Sequence, residues 1–295
     1  MLKERVIMEN KVTVPSILAR KHGPKLTMIT AYDAPGSQIV DRAGVDIILV
    51  GDSLATTVLG YQDTLPVTID IMIHHVAAVT RPQPRALVIA DMPWLSYHIS
   101  VEEAVRNAGR LIREGRAEAV KLEGGRKRLP VIEAMLATEI PVMGHLGLTP
   151  QSIHVMGGYR VQGKSIEAAR TLIEDAKALA EAGIFALVLE GIPTALARII
   201  TQEIPIPTIG IGAGPDCDGQ VLVFHDVLGF QQTGHVPKFV RQYANLAERA
   251  TEALQQYCAD VQSGTFPDDN ESYHMDKDVL QALMALDTDK PATTE

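Results

Sequence analysis

Short apolar runs alternate with longer amphipathic segments along most of the chain, and the runs have the length and β-branched composition of buried strands. The amphipathic segments follow helical spacing; Val101 to Ile112, for example, repeats apolar residues at intervals of three and four after a capping box at Ser100 and Glu103. We predict eight strands, at residues 26–32, 46–51, 86–90, 117–122, 141–146, 185–189, 207–211 and 221–225. The chain therefore repeats a strand–helix unit eight times.

Eight such units are typical of a closed (β/α)8 barrel, and a doubly wound open sheet is the competing arrangement. Residues 27–229 fit the roughly 250-residue size of these barrels. No dinucleotide-binding fingerprint follows the first strand, and the glycine-rich GIGAGP at 210–215 is more typical of a tight turn than of a phosphate loop. We therefore predict an α/β fold of the (β/α)8 TIM barrel type.

The C-terminal part of the chain has a different pattern. Residues 236–261 carry the apolar stripe of one or two amphipathic helices, which we expect to pack on the barrel or on a neighbouring subunit. The chain after Ser263 is polar, apart from a short helix predicted at 279–286. We predict one catalytic domain at 1–264 and a polar, flexible tail at 265–295.

Composition narrows the class of function. Hydrophobic residues make up 46% of the chain, enough for a substantial core. Acidic residues outnumber basic ones by 36 to 27, and no dense basic run predicts binding to nucleic acid or to a membrane. The two cysteines argue against a disulfide framework, and no signal peptide or membrane-length apolar run is found. We expect a cytoplasmic protein that binds small molecules and copies of itself.

Several predicted strands end on a polar residue. The stretch ILVGDS places Asp52 directly after the second apolar run, with Ser53 beside it. The C-terminal ends of the strands of a parallel barrel meet at one face, where enzymes of this fold carry out their chemistry. Six polar groups from six strands are therefore expected to converge there: Asp33, Asp52, Asp91, Glu123, His145 and Glu190.

These candidates also have structural explanations. Asp33 precedes APGSQIV and is better explained as a helix cap, whereas Asp52 and Asp91 occupy no evident capping position. His145 is as typical of a satisfied polar residue at a barrel rim as of a functional one. Lys121 in AVKLEGG shares a strand face with Glu123, so both can project into the barrel mouth.

A cluster of carboxylates raises the question of what balances its charge. Carboxylates held close together repel one another and raise each other's pKa unless a cation lies among them. An all-oxygen set favours a hard ion such as Mg²⁺, and the sequence contains no thiolate cluster or HExxH motif that would favour zinc. The strand ends therefore predict a magnesium site.

Six motifs, in chain order, resemble the ketopantoate hydroxymethyltransferase family: VGDSLATTVLGYQDTLPVT, VIADMPWLSY, AVKLEGG, PVMGHLGLTPQSIHVMGGYRVQGK, LVLEGIP and TIGIGAGPDCDGQVLVFHDVLG. The resemblance runs from about Pro15 to Cys258. It implies a barrel of the phosphoenolpyruvate mutase/isocitrate lyase type and transfer of a hydroxymethyl group from 5,10-methylenetetrahydrofolate to 3-methyl-2-oxobutanoate. The product would be 2-dehydropantoate, on the route to pantothenate and coenzyme A. The family is typically decameric, which implies a homodecamer.

The resemblance also implies roles for individual residues. Asp52 and Asp91 would bind Mg²⁺, with Glu123 in or next to the metal shell. Ser53 and Lys121, together with Asp52 and Asp91, would hold the keto acid. Each of these positions carries the residue that the family motif has there.

Glu190 would be the catalytic base that removes the C3 proton, giving an enolate stabilised by the magnesium ion. His145 is a possible site residue whose role the sequence does not define. Residues 149–165 form a long rim segment that we expect to contact the folate and to act as a lid.

Two other functions are compatible with the same pattern. One is a carbon–carbon lyase of the same superfamily that acts on a 2-oxo or 2-hydroxy acid. The other is a barrel that has lost catalysis and serves as a structural or regulatory protein. The second predicts a rim that has lost its polar residues, whereas the acids and Lys121 are all present in this chain.

Overall fold

A computed structural model describes residues 11–230 and 236–287. Eight parallel strands pair in chain order, and the last pairs with the first from Leu26↔Gly219 to Ile29↔Leu222, so the barrel is closed. The structure confirms the predicted (β/α)8 barrel and excludes the open sheet. The strands are β1 Leu26–Thr30, β2 Ile47–Val50, β3 Leu87–Asp91, β4 Ala119–Glu123, β5 Val142–Gly147, β6 Ala186–Glu190, β7 Thr208–Ile211 and β8 Gly219–Leu222.

Helices separate the strands from β1 to β7, whereas no described helix lies between β7 and β8. Of the ten described helices up to Leu228, five begin with a side-chain cap; at the start of helix Ala34–Arg42, for example, Asp33 accepts a hydrogen bond from the Gly36 amide. The α-helices of the first compact unit are α1 Val14–Leu18, α2 Ala34–Arg42, α3 Leu54–Thr57, α4 Ile69–Thr80, α5 Val101–Arg113, α6 Leu129–Ala137, α7 Ile153–Met156, α8 Ile166–Ala182, α9 Thr194–Glu203 and α10 Phe224–Leu228. Two short 3₁₀ turns span Arg126–Arg128 and Pro150–Ser152.

The core has two layers, because side chains alternate between the inside of the barrel and the space under the helices. The inner cluster includes Ile89, Ala119, Met143 and Val188. The residue two positions further along each of these strands faces the same way and lies at the C-terminal rim. The alternation of the core thus decides which polar side chains enter the barrel mouth.

The eighth strand was misplaced by the sequence pattern. It lies at Gly219–Leu222, and residues 224 and 225 of the strand predicted at 221–225 belong to helix α10. A Cβ at Gly219 would lie 2.6 Å from the Leu26 carbonyl oxygen, so the pairing of β8 with β1 requires a glycine at this position. The sequence pattern placed the start of β8 at Val221, where the apolar run begins, because the true first residue, Gly219, has no side chain and adds nothing to an apolar pattern.

The described residues form two compact units, which divide between Ala244 and Asn245. The second unit contains α11 Leu246–Ser263 and α12 Lys277–Asp287. The predicted helical region at 236–261 is therefore helical only from Leu246, whereas the short helix predicted at 279–286 is confirmed. No described helix combines the length and the apolar composition needed to cross a membrane.

Asp218 joins three segments at the N-terminal end of the barrel. It accepts hydrogen bonds from the His22 amide at 3.0 Å and the Thr208 amide at 2.9 Å, and it pairs with the Lys21 ammonium at 2.9 Å. Burial raises the pKa of this carboxyl, but the hydrogen bonds from Thr208, Lys21 and His22 outweigh burial and hold it below its ordinary value. The charged form of Asp218 therefore stabilises the fold.

We expect Asp218→Asn to lower the free energy of unfolding by about 2 kcal/mol at neutral pH, because a charge-assisted set of hydrogen bonds is lost. A carboxyl with a lowered pKa stabilises the fold above its unfolded pKa, near 3.8, and loses this contribution as the pH falls. The gap between wild type and variant should therefore narrow below about pH 4. Urea unfolding across this pH range measures it.

Asp70→Asn is the matched control, because Asp70 forms an exposed ion pair with Arg110 at 2.8 Å. We expect Asp70→Asn to lower the free energy of unfolding by less than about 1 kcal/mol. If the difference in free energy of unfolding between wild type and Asp218→Asn stays constant down to pH 2, the charge of Asp218 does not have the stabilising role given to it.

Candidate active site

Strands β2 to β6 bring polar side chains together at the C-terminal rim. Asp91 ends β3 opposite Lys121 of β4, and Glu123 ends β4 opposite His145 of β5. Asp52 follows β2 by two residues. All five side chains belong to residues that are only 3–5% exposed. The structure thus places a cluster of charged groups in a nearly solvent-free barrel mouth.

Lys121 is the cation at the centre of this cluster. Its Nζ lies 2.7 Å from Asp91 Oδ1 and 3.4 Å from His145 Nδ1. Burial lowers the pKa of Lys121, but Asp91, Glu123 and Asp52, in that order, raise it by more. The ammonium therefore stays charged.

Asp91 also organises the neighbouring strand end. Its Oδ2 accepts a hydrogen bond from the Asp52 amide at 3.1 Å. Burial raises the pKa of Asp52 well above its usual range, and the nearby Asp91 and Glu123 carboxylates raise it further. Lys121 lowers it in part. The negative charge of Asp52 is therefore only partly compensated by its surroundings.

His145 connects two acids across the rim. Its Nδ1 lies 3.4 Å from Glu123 Oε1, and its Nε2 lies 3.2 Å from Glu190 Oε2. Burial and then Lys121 lower the pKa of His145, but the hydrogen bonds with Glu123 and Glu190 raise it to about 9. The imidazole is thus a cation at neutral pH. The Glu190 side chain is 16% exposed, so it faces the opening of the barrel mouth more than its neighbours do.

The end of β5 comes unusually close to β6. Gly147 pairs with Glu190 and has φ of +100°, and a Cβ there would lie 2.1 Å from the Glu190 carbonyl oxygen. Only glycine meets both conditions. This close approach keeps Glu190 beside His145.

Ser53 and Asp33 occupy the β1–β2 side of the rim. The Ser53 hydroxyl lies 2.9 Å from the Tyr32 hydroxyl, and the residue is partly exposed. Asp33 caps helix α2, as the alternative explanation for this residue predicted. Ser53 thus contacts Tyr32 at the edge of the site, and Asp33 serves the fold. The assigned residues that the contacts connect with one another are Asp52, Asp91, Lys121, Glu123, His145 and Glu190.

Sequence reasoning missed two buried partners of the acids. Gln151 Nε2 donates to Asp52 Oδ2 at 2.8 Å, and its backbone amide donates to Glu123 Oε2 at 3.1 Å. The Tyr97 hydroxyl lies 2.6 Å from Gln151 Oε1 and 3.2 Å from the Glu123 amide. Both residues lie inside motifs quoted above, but a lone glutamine or tyrosine in a loop carries no signal of function.

The donor chemistry fits a hard divalent cation. Four carboxylates face only one ammonium and one imidazolium, so a buried negative charge is left over. Among residues 11–230 and 236–287, no group of three or more His, Cys, Asp or Glu side chains is arranged to hold a metal. Mg²⁺ does not need such a group, because one or two carboxylates usually hold it together with water and substrate oxygens.

Comparisons with known proteins identify the family of this chain. The family model described as ketopantoate hydroxymethyltransferase matches residues 11–269. A 3-methyl-2-oxobutanoate hydroxymethyltransferase of Moorella thermoacetica is 58% identical over 90% of this chain and 98% of the relative. One of Syntrophobacter fumaroxidans is 54% identical over 96% of this chain and all of the relative.

Solved structures show the type of barrel. Phosphoenolpyruvate phosphomutase from Streptomyces platensis subsp. rosaceus has a TM-score of 0.55 at 15% identity, over 94% of this chain and 96% of that one. A 2,3-dimethylmalate lyase, described as a member of the PEP mutase/isocitrate lyase superfamily, has a TM-score of 0.53 at 18% identity, over 93% and 95%. The fold is thus of the predicted phosphoenolpyruvate mutase/isocitrate lyase type.

We expect Lys121→Met to lower the free energy of unfolding by about 3 kcal/mol, because Asp91 is left buried without its cation. Adding Asp91→Asn should restore part of this loss, so the double variant should be more stable than the sum of the single effects predicts. Urea denaturation of the three variants measures the coupling.

Lys177→Met is the control, because Lys177 pairs with Glu203 on the surface and the side chains are 47% and 40% exposed. We expect Lys177→Met to lower the free energy of unfolding by less than about 1 kcal/mol. Strictly additive effects of Lys121→Met and Asp91→Asn would contradict the ion pair.

Proposed function

This chain belongs to the ketopantoate hydroxymethyltransferase family, and we propose that it transfers a hydroxymethyl group to 3-methyl-2-oxobutanoate with 5,10-methylenetetrahydrofolate as donor and Mg²⁺ as cofactor. The product is 2-dehydropantoate, which places the enzyme on the route to pantothenate and coenzyme A. The observation that carries the proposal is the buried cluster of Asp52, Asp91, Lys121 and His145 beside the more exposed Glu190. Buried charged groups with shifted pKa values are typical of catalytic sites.

The metal is assigned to Asp52 and Asp91, with Glu123 in or next to its shell. The support is the excess of negative charge at the rim and the all-oxygen character of these side chains. Bound Mg²⁺ would supply a Lewis acid that draws charge from the 2-oxo oxygen of the keto acid.

The substrate carboxylate is assigned to Lys121 and Ser53. Lys121 carries a positive charge in a site from which water is largely excluded, so its attraction for an anion is strong. The Ser53 hydroxyl is a neutral donor after β2, with β3 between it and the strand of Lys121, and its contact with Tyr32 fixes its position. Together they would hold the keto acid in one orientation.

Glu190 is assigned as the base that takes the proton from C3. Its side chain reaches the rim from β6, away from the strand ends that carry Asp52 and Asp91, so it is free to face the substrate carbon. His145 contacts Glu190 Oε2 and fixes the carboxylate. The resulting enolate carbon would attack the one-carbon unit of the folate and form the new carbon–carbon bond. A water would then replace the folate nitrogen on that carbon, which breaks the carbon–nitrogen bond, releases tetrahydrofolate and completes the hydroxymethyl group.

The folate is assigned to the rim segment at 149–165. This segment exposes Val155 and Tyr159. A cavity of about 430 Å³ lies between the segment, the ends of β4 and β5, and helix α8; Met156, Gln162 and Gly147 contribute to its lining. The size and the mixed apolar and polar walls suit part of a co-substrate of this kind.

We further propose a cytoplasmic homodecamer whose catalytic domain spans 1–264, with a flexible tail at 265–295 that takes no part in catalysis. The family resemblance supports the decamer. Helix α11 adds support, because Leu254, Tyr257 and Val261 leave apolar surface exposed on it.

Proton exchange in heavy water tests the base. We expect the wild type with Mg²⁺ to exchange the C3 proton of 3-methyl-2-oxobutanoate, so that the methyl doublet in the NMR spectrum collapses to a singlet. A chelator should stop the exchange, and Glu190→Gln should slow it by about 10²–10⁴-fold, because a general base contributes this much.

Glu203→Gln is the matched control, because Glu203 lies on the surface and pairs with Lys177. Exchange that continues unchanged in Glu190→Gln would overturn the base assignment. Absence of exchange in the wild type, even after addition of tetrahydrofolate, would overturn the proposed reaction.

A shortened rim segment tests the folate assignment. We expect replacement of residues 155–162 by a short Gly-Ser turn to weaken use of the folate by about tenfold or more, which corresponds to losing about 1.4 kcal/mol of contact. Proton exchange of the keto acid should stay within about twofold, because its assigned contacts lie outside the segment. Steady-state kinetics and the exchange assay measure the two effects.

Val155→Ser keeps the length of the segment and controls for the loss of one apolar side chain, since Val155 is 92% exposed. An equal loss of folate use and keto-acid exchange in the shortened chain would argue against a lid or a folate contact.

A further inference from the structure

Gln151 makes more contacts to the acids of the rim than any role in its own turn requires. It lies in the 3₁₀ turn Pro150–Ser152 after β5 and is 6% exposed. Its side-chain amide contacts Asp52 Oδ2 and, at 2.9 Å, the Met92 carbonyl oxygen. Its backbone amide contacts Glu123 Oε2. One residue thus connects the ends of β2, β3 and β4.

The orientation of the Gln151 amide follows from the hydrogen bonds around it. The Glu123 backbone amide can only donate, so the Tyr97 oxygen accepts from it and the Tyr97 hydroxyl donates to Gln151 Oε1. The NH₂ group then faces Asp52 and Met92, both of which present oxygen atoms. Reversing the amide would set its oxygen against the oxygens of Asp52 and Met92 and its NH₂ group against the donating Tyr97 hydroxyl, so only one orientation is compatible with the site.

We propose that Gln151, oriented by Tyr97, is a positioning residue that fixes the carboxylates of Asp52 and Glu123 for the reaction. The assignment rests on the proposed function, because these carboxylates matter for catalysis only if they serve the cation site. Gln151 occupies one oxygen of Asp52, Oδ2, and one oxygen of Glu123, Oε2. Each carboxylate is thereby held in a single rotation about its last bond.

Burial makes the loss of any one of these hydrogen bonds costly. A buried amide that loses its partners costs about 1–3 kcal/mol, so Gln151, Asp52 and the Met92 carbonyl are held together as a set. Partners of this kind in other metal sites change cation affinity by about 10–100-fold when they are removed. The same set links the rim acids to the first turn of the segment at 149–165.

The test measures cation binding separately from catalysis. Mn²⁺ serves as a paramagnetic probe for the Mg²⁺ site, and its dissociation constant is obtained by electron paramagnetic resonance on the intact, full-length protein without substrate. We expect Gln151→Met, which keeps the side-chain length but removes the amide, to weaken Mn²⁺ binding by about 10–100-fold. Steady-state kinetics should show a lower kcat at saturating Mg²⁺, with the KM for the keto acid changed less.

Tyr97→Phe provides a second variant that leaves Gln151 in place. It removes the hydroxyl that selects the amide orientation, so we expect Mn²⁺ binding to weaken in the same direction by a smaller factor. Urea unfolding identifies a variant that fails to fold, and Tyr97→Phe then decides the question alone.

Asn107→Leu is the matched control. The Asn107 amide donates to the Ser96 carbonyl oxygen at 2.8 Å near the same rim, and neither residue belongs to the acid cluster. Its Mn²⁺ affinity should equal that of the wild type, even if its stability falls.

The outcomes separate the two claims. Mn²⁺ affinity within twofold of wild type in folded Gln151→Met and Tyr97→Phe would overturn the positioning role and leave the proposed function intact. An equal loss of Mn²⁺ affinity in Asn107→Leu would also overturn the positioning role, because any disturbance near the rim would then weaken Mn²⁺ binding. A wild type that binds no Mn²⁺ would overturn the magnesium site of the proposed function, and the positioning role with it.

Discussion

The ion pair between Lys121 and Asp91 is the interaction on which the rest of the rim depends. Its atoms lie 2.7 Å apart in a site that is almost closed to water. Without the ammonium, several carboxylates would be buried together, and the low dielectric would force them to take up protons or the barrel to open. With it, one oxygen of Asp91 is paired with a cation, and the other accepts the hydrogen bond from the Asp52 amide that places the next acid.

The barrel supplies this arrangement through strand register. Neighbouring parallel strands put Asp91 beside Lys121 and Glu123 beside His145. Alternation along each strand then turns these side chains inward above the apolar inner core. The active-site geometry is therefore a consequence of the same pairing that closes the barrel, which explains how residues far apart in the chain meet within hydrogen-bond distance.

The charges at the rim are only partly balanced by the protein. Lys121 and His145 offset two of the four carboxylates, and the raised pKa of Asp52 shows where the remaining negative charge is felt. The Gln151 amide adds dipoles but no charge. A site built in this way gains most from a ligand that brings positive charge, such as the Mg²⁺ that we propose.

The sequence by itself determined the number of strands, their order and the identity of most rim acids, because an apolar run that ends on a carboxylate is visible without any tertiary contact. It also indicated that Asp33 is a helix cap. Tertiary structure alone decided where β8 begins, since this depends on the close approach of Gly219 to Leu26. It alone revealed Gln151 and Tyr97 as partners of the acids, because a glutamine in a turn acquires meaning only from the groups that three other strand ends bring to it.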